Sequence, residues 1–222
     1  MLLDSPRFLP GDREHWDRMV TLDAKWSKTI AFHRKIDRAN RALDAFHAAH
    51  NGAGYCGVSW GKDSVVAAHL CAGRWPLLHI RWPKRNPDSA RVAEAMGVAF
   101  SEWTAPPDTD FKRDFADARK AFGFADLHVS GVRAAESRVR RIRHMKFGEN
   151  SASTCAPLSA WTGEDVFAYL YLHDLPVHPA YAMTMGGRLD RVRIRVDDIG
   201  EERGGGVGRR EWERTYYPEF FE

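Results

Sequence analysis

The sequence predicts an α/β protein: a parallel sheet with helices on both faces, an N-terminal helix before it and a small irregular extension after it. Three observations predict this. Short apolar runs alternate with helical patterns from Tyr55 to Gly131, which is the rhythm of a parallel sheet joined by crossover helices. Those runs are compact and apolar, as strands buried on both faces are. The chain has 222 residues, 44% of them hydrophobic, enough to bury one proper core.

The elements follow in order. Residues 12–50 read as helix, because Trp16, Met19, Val20, Ile30, Ile36, Leu43 and Phe46 recur at roughly helical spacing. Asn51-Gly52-Ala53-Gly54 stops it. Tyr55 to Ser59 is a first strand, and a helix runs from Asp63 to Cys71 before Gly73. Leu77 to Trp82 is a second strand, closed by Pro83, and a helix from about Asp88 to Met96 ends at Gly97. Val98 to Trp103 is a third strand, residues 111–122 a helix, and Leu127 to Gly131 a fourth strand. Beyond these, residues 163–173 read as helix, with Thr162 as N-cap and Glu164 and Asp165 in its first turn. Arg191 to Val196 alternates like a strand with one arginine face. Gly204-Gly205-Gly206 predicts a turn before a last helix over 208–216. The division expected is an N-terminal helical segment (1–50), a nucleotide-binding α/β domain (51–185) and an arginine-rich extension (186–222).

A formal charge of +3 is too mild for a global nucleic-acid footprint. No apolar stretch reaches the roughly 18–20 residues that span a bilayer, and the N-terminus lacks a signal-peptide pattern. Cys56, Cys71 and Cys155 are odd in number and form no CxxC pair. Neither a disulfide framework, a zinc site nor an iron–sulfur cluster is indicated, and a cytoplasmic address is expected.

Ligands of parallel sheets sit beyond the C-terminal ends of strands, so the loops after Ser59, Trp82 and Gly131 are the places to look. The first reads Ser59-Trp60-Gly61-Lys62-Asp63-Ser64. A helix start offers unpaired N–H groups and the positive end of the dipole, which phosphate oxygens satisfy. Gly61 admits a close ligand, Lys62 adds a fixed charge, and Ser59 and Ser64 can donate hydroxyls. Asp63 caps the helix or helps hold Mg2+. The Walker A spacing is absent.

The loop resembles the SGGKDS loop of the PP-loop ATP pyrophosphatases, or adenine nucleotide alpha hydrolases, whose sheet is Rossmann-like with three layers. Gly131-Val132-Arg133-Ala134-Ala135-Glu136-Ser137-Arg138 resembles the G-[IV]-R-x-x-[DE]-S-x-R segment of the phosphoadenosine phosphosulfate (PAPS) reductase family. Pro157 to Val166 and Leu175 to Tyr181 resemble its two following segments. The resemblance covers residues 50–185 and implies that ATP or PAPS is bound through the loop, Gly131 and Arg133. Lys62, Arg133 and Arg138 are then the catalytic candidates, with Glu136 orienting an arginine and Trp161 packing under the site. Activation of ATP, giving AMP and pyrophosphate, is the expected reaction. PAPS reduction and a non-catalytic nucleotide-binding subunit are the alternatives.

Three departures matter. Trp60 stands where the family has Gly, which calls for an ordinary backbone conformation there or an altered loop. The C-terminal E-C-G-[IL]-H motif of the reductases is missing, leaving Cys155, in an expected loop, as the one candidate thiol. Arg81-Trp82-Pro83-Lys84-Arg85 replaces the family's acidic and Thr-Gly element. The acceptor stays open among a nucleobase in DNA or tRNA, a small carboxylate and a sulfur donor, and a homodimer is compatible with the sequence. Arg138, Arg140, Arg141 and Arg143 form a basic helix face that is either solvated or a contact for nucleic acid. The same two readings hold for the C-terminal arginines from Arg188 to Arg214.

Overall fold

The computed structural model describes residues 1–83, 85–108, 110–196, 198–200 and 209–221. Its five strands are β1 (Tyr55–Val58), β2 (Leu77–Arg81), β3 (Ser101–Thr104), β4 (His128–Val129) and β5 (Thr154–Cys155). They form one sheet in the order β3-β2-β1-β4-β5, and every pair is parallel. Three helices, α3 (Lys62–Leu70), α4 (Asp88–Met96) and α5 (Phe111–Phe122), link the first four strands, and α6 (Arg138–Phe147) leads towards β5. The expected three-layer α/β architecture is the one observed.

Strand alternation sorts the side chains. Cys56, Val58 and Leu77 face a large core shared with Phe32, Leu43, Val66, Val92 and Leu170. Tyr55, Leu78 and Ile80 face a small one completed by Ala105 and Ala118, with Phe115 and Phe124 packed against it. On the first face lies α7 (Gly163–Leu172), capped as expected by Thr162, whose hydroxyl accepts from the Asp165 N–H.

Several elements differ from expectation. Residues 12–50 form two helices, α1 (Asp12–Trp26) and α2 (Ile30–Ala49). No Gly or Pro marks the break; Thr29 makes it by turning to an extended conformation and accepting from the Phe32 N–H. The fifth strand was not anticipated. Arg191 to Val196 forms turns and no strand. Its alternation instead seats single side chains: Arg191 pairs with Asp23 at 2.5 Å and lies 4.0 Å from the Phe167 ring centre, while Ile194 and Val196 join the main core. The last helix, α8 (Arg209–Tyr216), packs there too, through Trp212 and Tyr216. The Gly204-Gly205-Gly206 turn lies outside the described residues. Among the described residues no helix is long and apolar enough to cross a membrane.

Two core histidines set a pH dependence. Burial pushes His79 down to about 4 and His178 to about 3. Below the ordinary value of 6.5 the unfolded chain takes protons that the folded chain refuses, so stability is full above pH ~6.5 and falls as pH drops towards 4. Each residue contributes a slope of about 1.4 kcal/mol per pH unit in that window. Urea unfolding at pH 7 and at pH 5.5 checks this, and His178→Asn should remove about half of these two residues' combined slope.

Candidate functional site

The strand order reverses between β1 and β4, so the two connections leaving them diverge and open a crevice at their C-terminal ends. The loop 59–61 and the start of α3 form one lip, and residues 130–137 form the other. The lips touch: a Cβ on Gly131 would stand 2.6 Å from the Asp63 carbonyl oxygen. Only glycine fits there, and it brings Arg133 against the helix start.

The first lip is held by its own serines. The Ser59 N–H donates to Ser64 Oγ at 3.2 Å, and the Ser64 hydroxyl donates to the Gly61 carbonyl at 3.0 Å. Lys62 is 5% exposed, with its ammonium 3.2 Å from Asp63 Oδ2 and 5.0 Å from the Tyr181 ring centre. The Lys62 N–H donates to the Tyr181 hydroxyl at 3.0 Å. Tyr181 comes from the 3-10 turn Pro179–Tyr181 and had no assigned role in the sequence; its place in the Leu175 to Tyr181 segment was the signal.

Trp60 overturns one expectation. Its φ is +62°, the left-handed conformation that a glycine takes easily. That costs roughly 1–2 kcal/mol for a residue with a Cβ. The indole is 1% exposed, packed at 5.0 Å from Phe100 and 6.0 Å from His79. Burying a Trp is worth about 3–5 kcal/mol by truncation, so packing outweighs strain. The loop thus carries a left-handed residue with a side chain added to it.

On the second lip Arg133 is 3% exposed, its Nε 2.5 Å from Asp63 Oδ1. Glu136 accepts from the Arg133 N–H at 3.0 Å, lies 3.9 Å from the Arg133 guanidinium, and pairs with Arg140. Ser59, Trp60, Gly61, Lys62, Asp63, Ser64, Gly131 and Arg133 therefore meet in one place. Arg138 does not join them: it is exposed on the first turn of α6, a helix with no buried residue. Asp63 faces Lys62 and Arg133, so its carboxylate is taken by two cations. Among the described residues no cluster of three metal-ligating side chains forms. This arrangement does not fit a preformed magnesium site.

Cys155 is corrected outright. It lies in β5, fully buried, and burial pushes its thiol up to about 12. A nucleophilic thiol needs the opposite, exposure and a lowered pKa. Cys56 and Cys71 are buried as expected. Arg85 is the other residue the sequence reading passed over, except as a departure from the family's pattern. It is half-buried beside the loop, and its side chain reaches the Ser59 carbonyl at 3.5 Å.

Residues 78–186 match the family model of the phosphoadenosine phosphosulfate reductase domain. Comparison with curated protein sequences finds no match. Among solved structures, the chain is similar to Candida glabrata FMN adenylyltransferase in complex with ATP. There the TM-score is 0.54 at 15% identity, over 76% of this chain and 67% of that one. Another structure of the Candida glabrata enzyme gives 0.54 at 12% identity, over 92% and 81%. At such identities the likeness speaks for the fold. Taken with the matched segment and the loop that precedes it, the chain belongs to the PAPS reductase-like family within the PP-loop, adenine nucleotide alpha hydrolase-like superfamily.

Proposed function

We propose that this protein binds ATP through the loop Ser59–Ser64 and releases pyrophosphate as an acceptor attacks the α-phosphorus. The observation that carries this reading is the convergence of Lys62, the first turn of α3 and Arg133 at the sheet's switch point. Phosphate oxygens on that helix start gain its free N–H groups and dipole. They take the Lys62 N–H from the Tyr181 hydroxyl, which is then free to donate to them. The Lys62 ammonium offsets the charge that grows on the leaving pyrophosphate, a contribution available only as the bond breaks. Arg133, now paired with Asp63, exchanges that partner for the α-phosphate, which a guanidinium can grip with two parallel bonds. Arg138, at the open end of the same lip, positions the acceptor. No step is routed through a metal.

The family match also favours PAPS as the nucleotide, but reduction needs a thiolate, and burial holds Cys155 far from one. Incubation with ATP, and separately with PAPS, followed by chromatography of the products separates the readings. AMP and pyrophosphate from ATP, undiminished in Cys155→Ser, is the expected result. Sulfite from PAPS that disappears in Cys155→Ser would replace it with a reductase. Nucleotide binding without turnover of either would leave a binding subunit.

A further inference from the structure

A second concavity opens behind the phosphate loop, on the far side of the Trp60 ring. It has a volume of about 500 Å³ and lies between α4 and the C-terminal part of β2. Its apolar wall comes from Trp60, Ala90, Ala93, Val98 and Phe100. Its polar wall is unusual. The Trp60 Nε1–H and the Asn86 Nδ2 amide belong to side chains only 1% exposed, and neither has a hydrogen-bond partner. The Asn86 carbonyl oxygen is already taken by the Asp88 N–H. Arg85 adds a half-buried guanidinium whose hydrogen bond among the described residues is the long one to Ser59. Burial lowers its pKa to about 10, the mark of a cation short of compensation.

Buried donors without partners cost free energy comparable to a lost hydrogen bond each, roughly 1–3 kcal/mol, and a protein that keeps several around one cavity has a use for them. All three groups donate. A purine edge, with its amino group and ring nitrogens, needs acceptors as well as donors; an oxyanion needs donors alone. The rest of the wall asks for an apolar body. Trp60 joins the two sites, since its backbone belongs to the phosphate loop and its ring to the cavity.

We infer that this cavity holds the acceptor, and that the acceptor is a small carboxylate with an apolar body. The inference rests on the ATP reading above. A carboxylate also suits the chemistry, because it is ionised already and its attack needs no general base. One of its oxygens forms a bond to the α-phosphorus, and the bond from that phosphorus to the bridging oxygen breaks. The electron pair leaves with pyrophosphate, and an acyl adenylate remains. Nothing is oxidised or reduced, and no proton moves.

The test uses the full chain and three probes, benzoate, phenylacetate and hexanoate, each beside its neutral amide. Binding is followed by ligand-observed NMR, then by carboxylate-dependent exchange of labelled pyrophosphate into ATP. At least one carboxylate should bind tenfold or more tightly than its amide and support exchange. Arg85→Met should weaken it tenfold or more, and so should Ala90→Phe, which fills the cavity from an exposed position on α4. The second variant guards against a folding defect in the first. Carboxylates binding no better than amides would overturn the inference, as would displacement of the carboxylate by adenosine. Absence of exchange in a protein that still converts ATP to AMP would remove the acceptor role and leave the ATP reading standing. Tight carboxylate binding in a protein that ignores ATP would overturn the acceptor role together with the ATP reading.

Discussion

Lys62→Ala should weaken ATP binding ten- to a hundredfold while the protein stays folded. A charge-assisted contact contributes about 1.5–3 kcal/mol, which is that range of affinity. The fold is spared because the ammonium is not the only partner of its neighbour: Asp63 keeps Arg133 at 2.5 Å when Lys62 is gone. The loop itself is held by the two serines and by the backbone N–H of residue 62, which alanine retains. Calorimetric titration with ATP, beside a urea melt, separates the two effects. An unchanged dissociation constant would remove Lys62 from the site, however well placed it looks.

Asp165→Ala should be the most damaging single change to stability, at about 3–5 kcal/mol. Its carboxylate is completely buried and gathers three elements. Oδ1 accepts from Trp26 Nε1 at 2.8 Å, and Oδ2 accepts from Lys35 Nζ at 2.5 Å and from the Thr162 N–H at 2.7 Å. Removing the acid leaves the Lys35 ammonium and the indole N–H without a partner where water is scarce, and breaks the capping box at the start of α7. Losing one member of a buried ion pair costs about 3–5 kcal/mol. Denaturant unfolding at pH 7 reads this directly. A loss under about 1 kcal/mol, within the range of ordinary surface substitutions, would mean that the junction is held by apolar packing instead.

Much of this was legible in the sequence because local signals and tertiary structure agree. Residues 111–122 form a helix with both ends as read, since Asp110 caps it and Gly123 ends it in the left-handed conformation. The loop at 59–64 was legible because glycine, lysine and two serines at a strand-to-helix turn have one economical use. What escaped has physical reasons. A two-residue strand such as β5 has no period to detect, so Cys155 looked like a loop residue. The break after Trp26 needs only one threonine to turn and cap, a signal that many helices carry on their surface. Alternation at 191–196 marks inward and outward side chains, but a strand also needs a neighbour with free backbone groups. Trp60 shows the limit of a local steric rule: its conformation is unfavourable alone and acceptable only with the pocket that receives its ring.

Asp165 reaches forward to bind the N-terminal helices, but two other acids wait longer for their partners. Asp12 accepts from the N–H groups of Thr184 and Gly186, at 3.2 and 3.0 Å, and from the Tyr216 hydroxyl at 2.8 Å. Asp23 takes its cation from Arg191. During synthesis at about 5–20 residues per second, those partners leave the ribosome on the order of ten to forty seconds after the acids do. Until then, seating α1 against the sheet would strand two carboxylates in an apolar setting, which is strongly unfavourable. The first helix of the chain is therefore among the last to find its place.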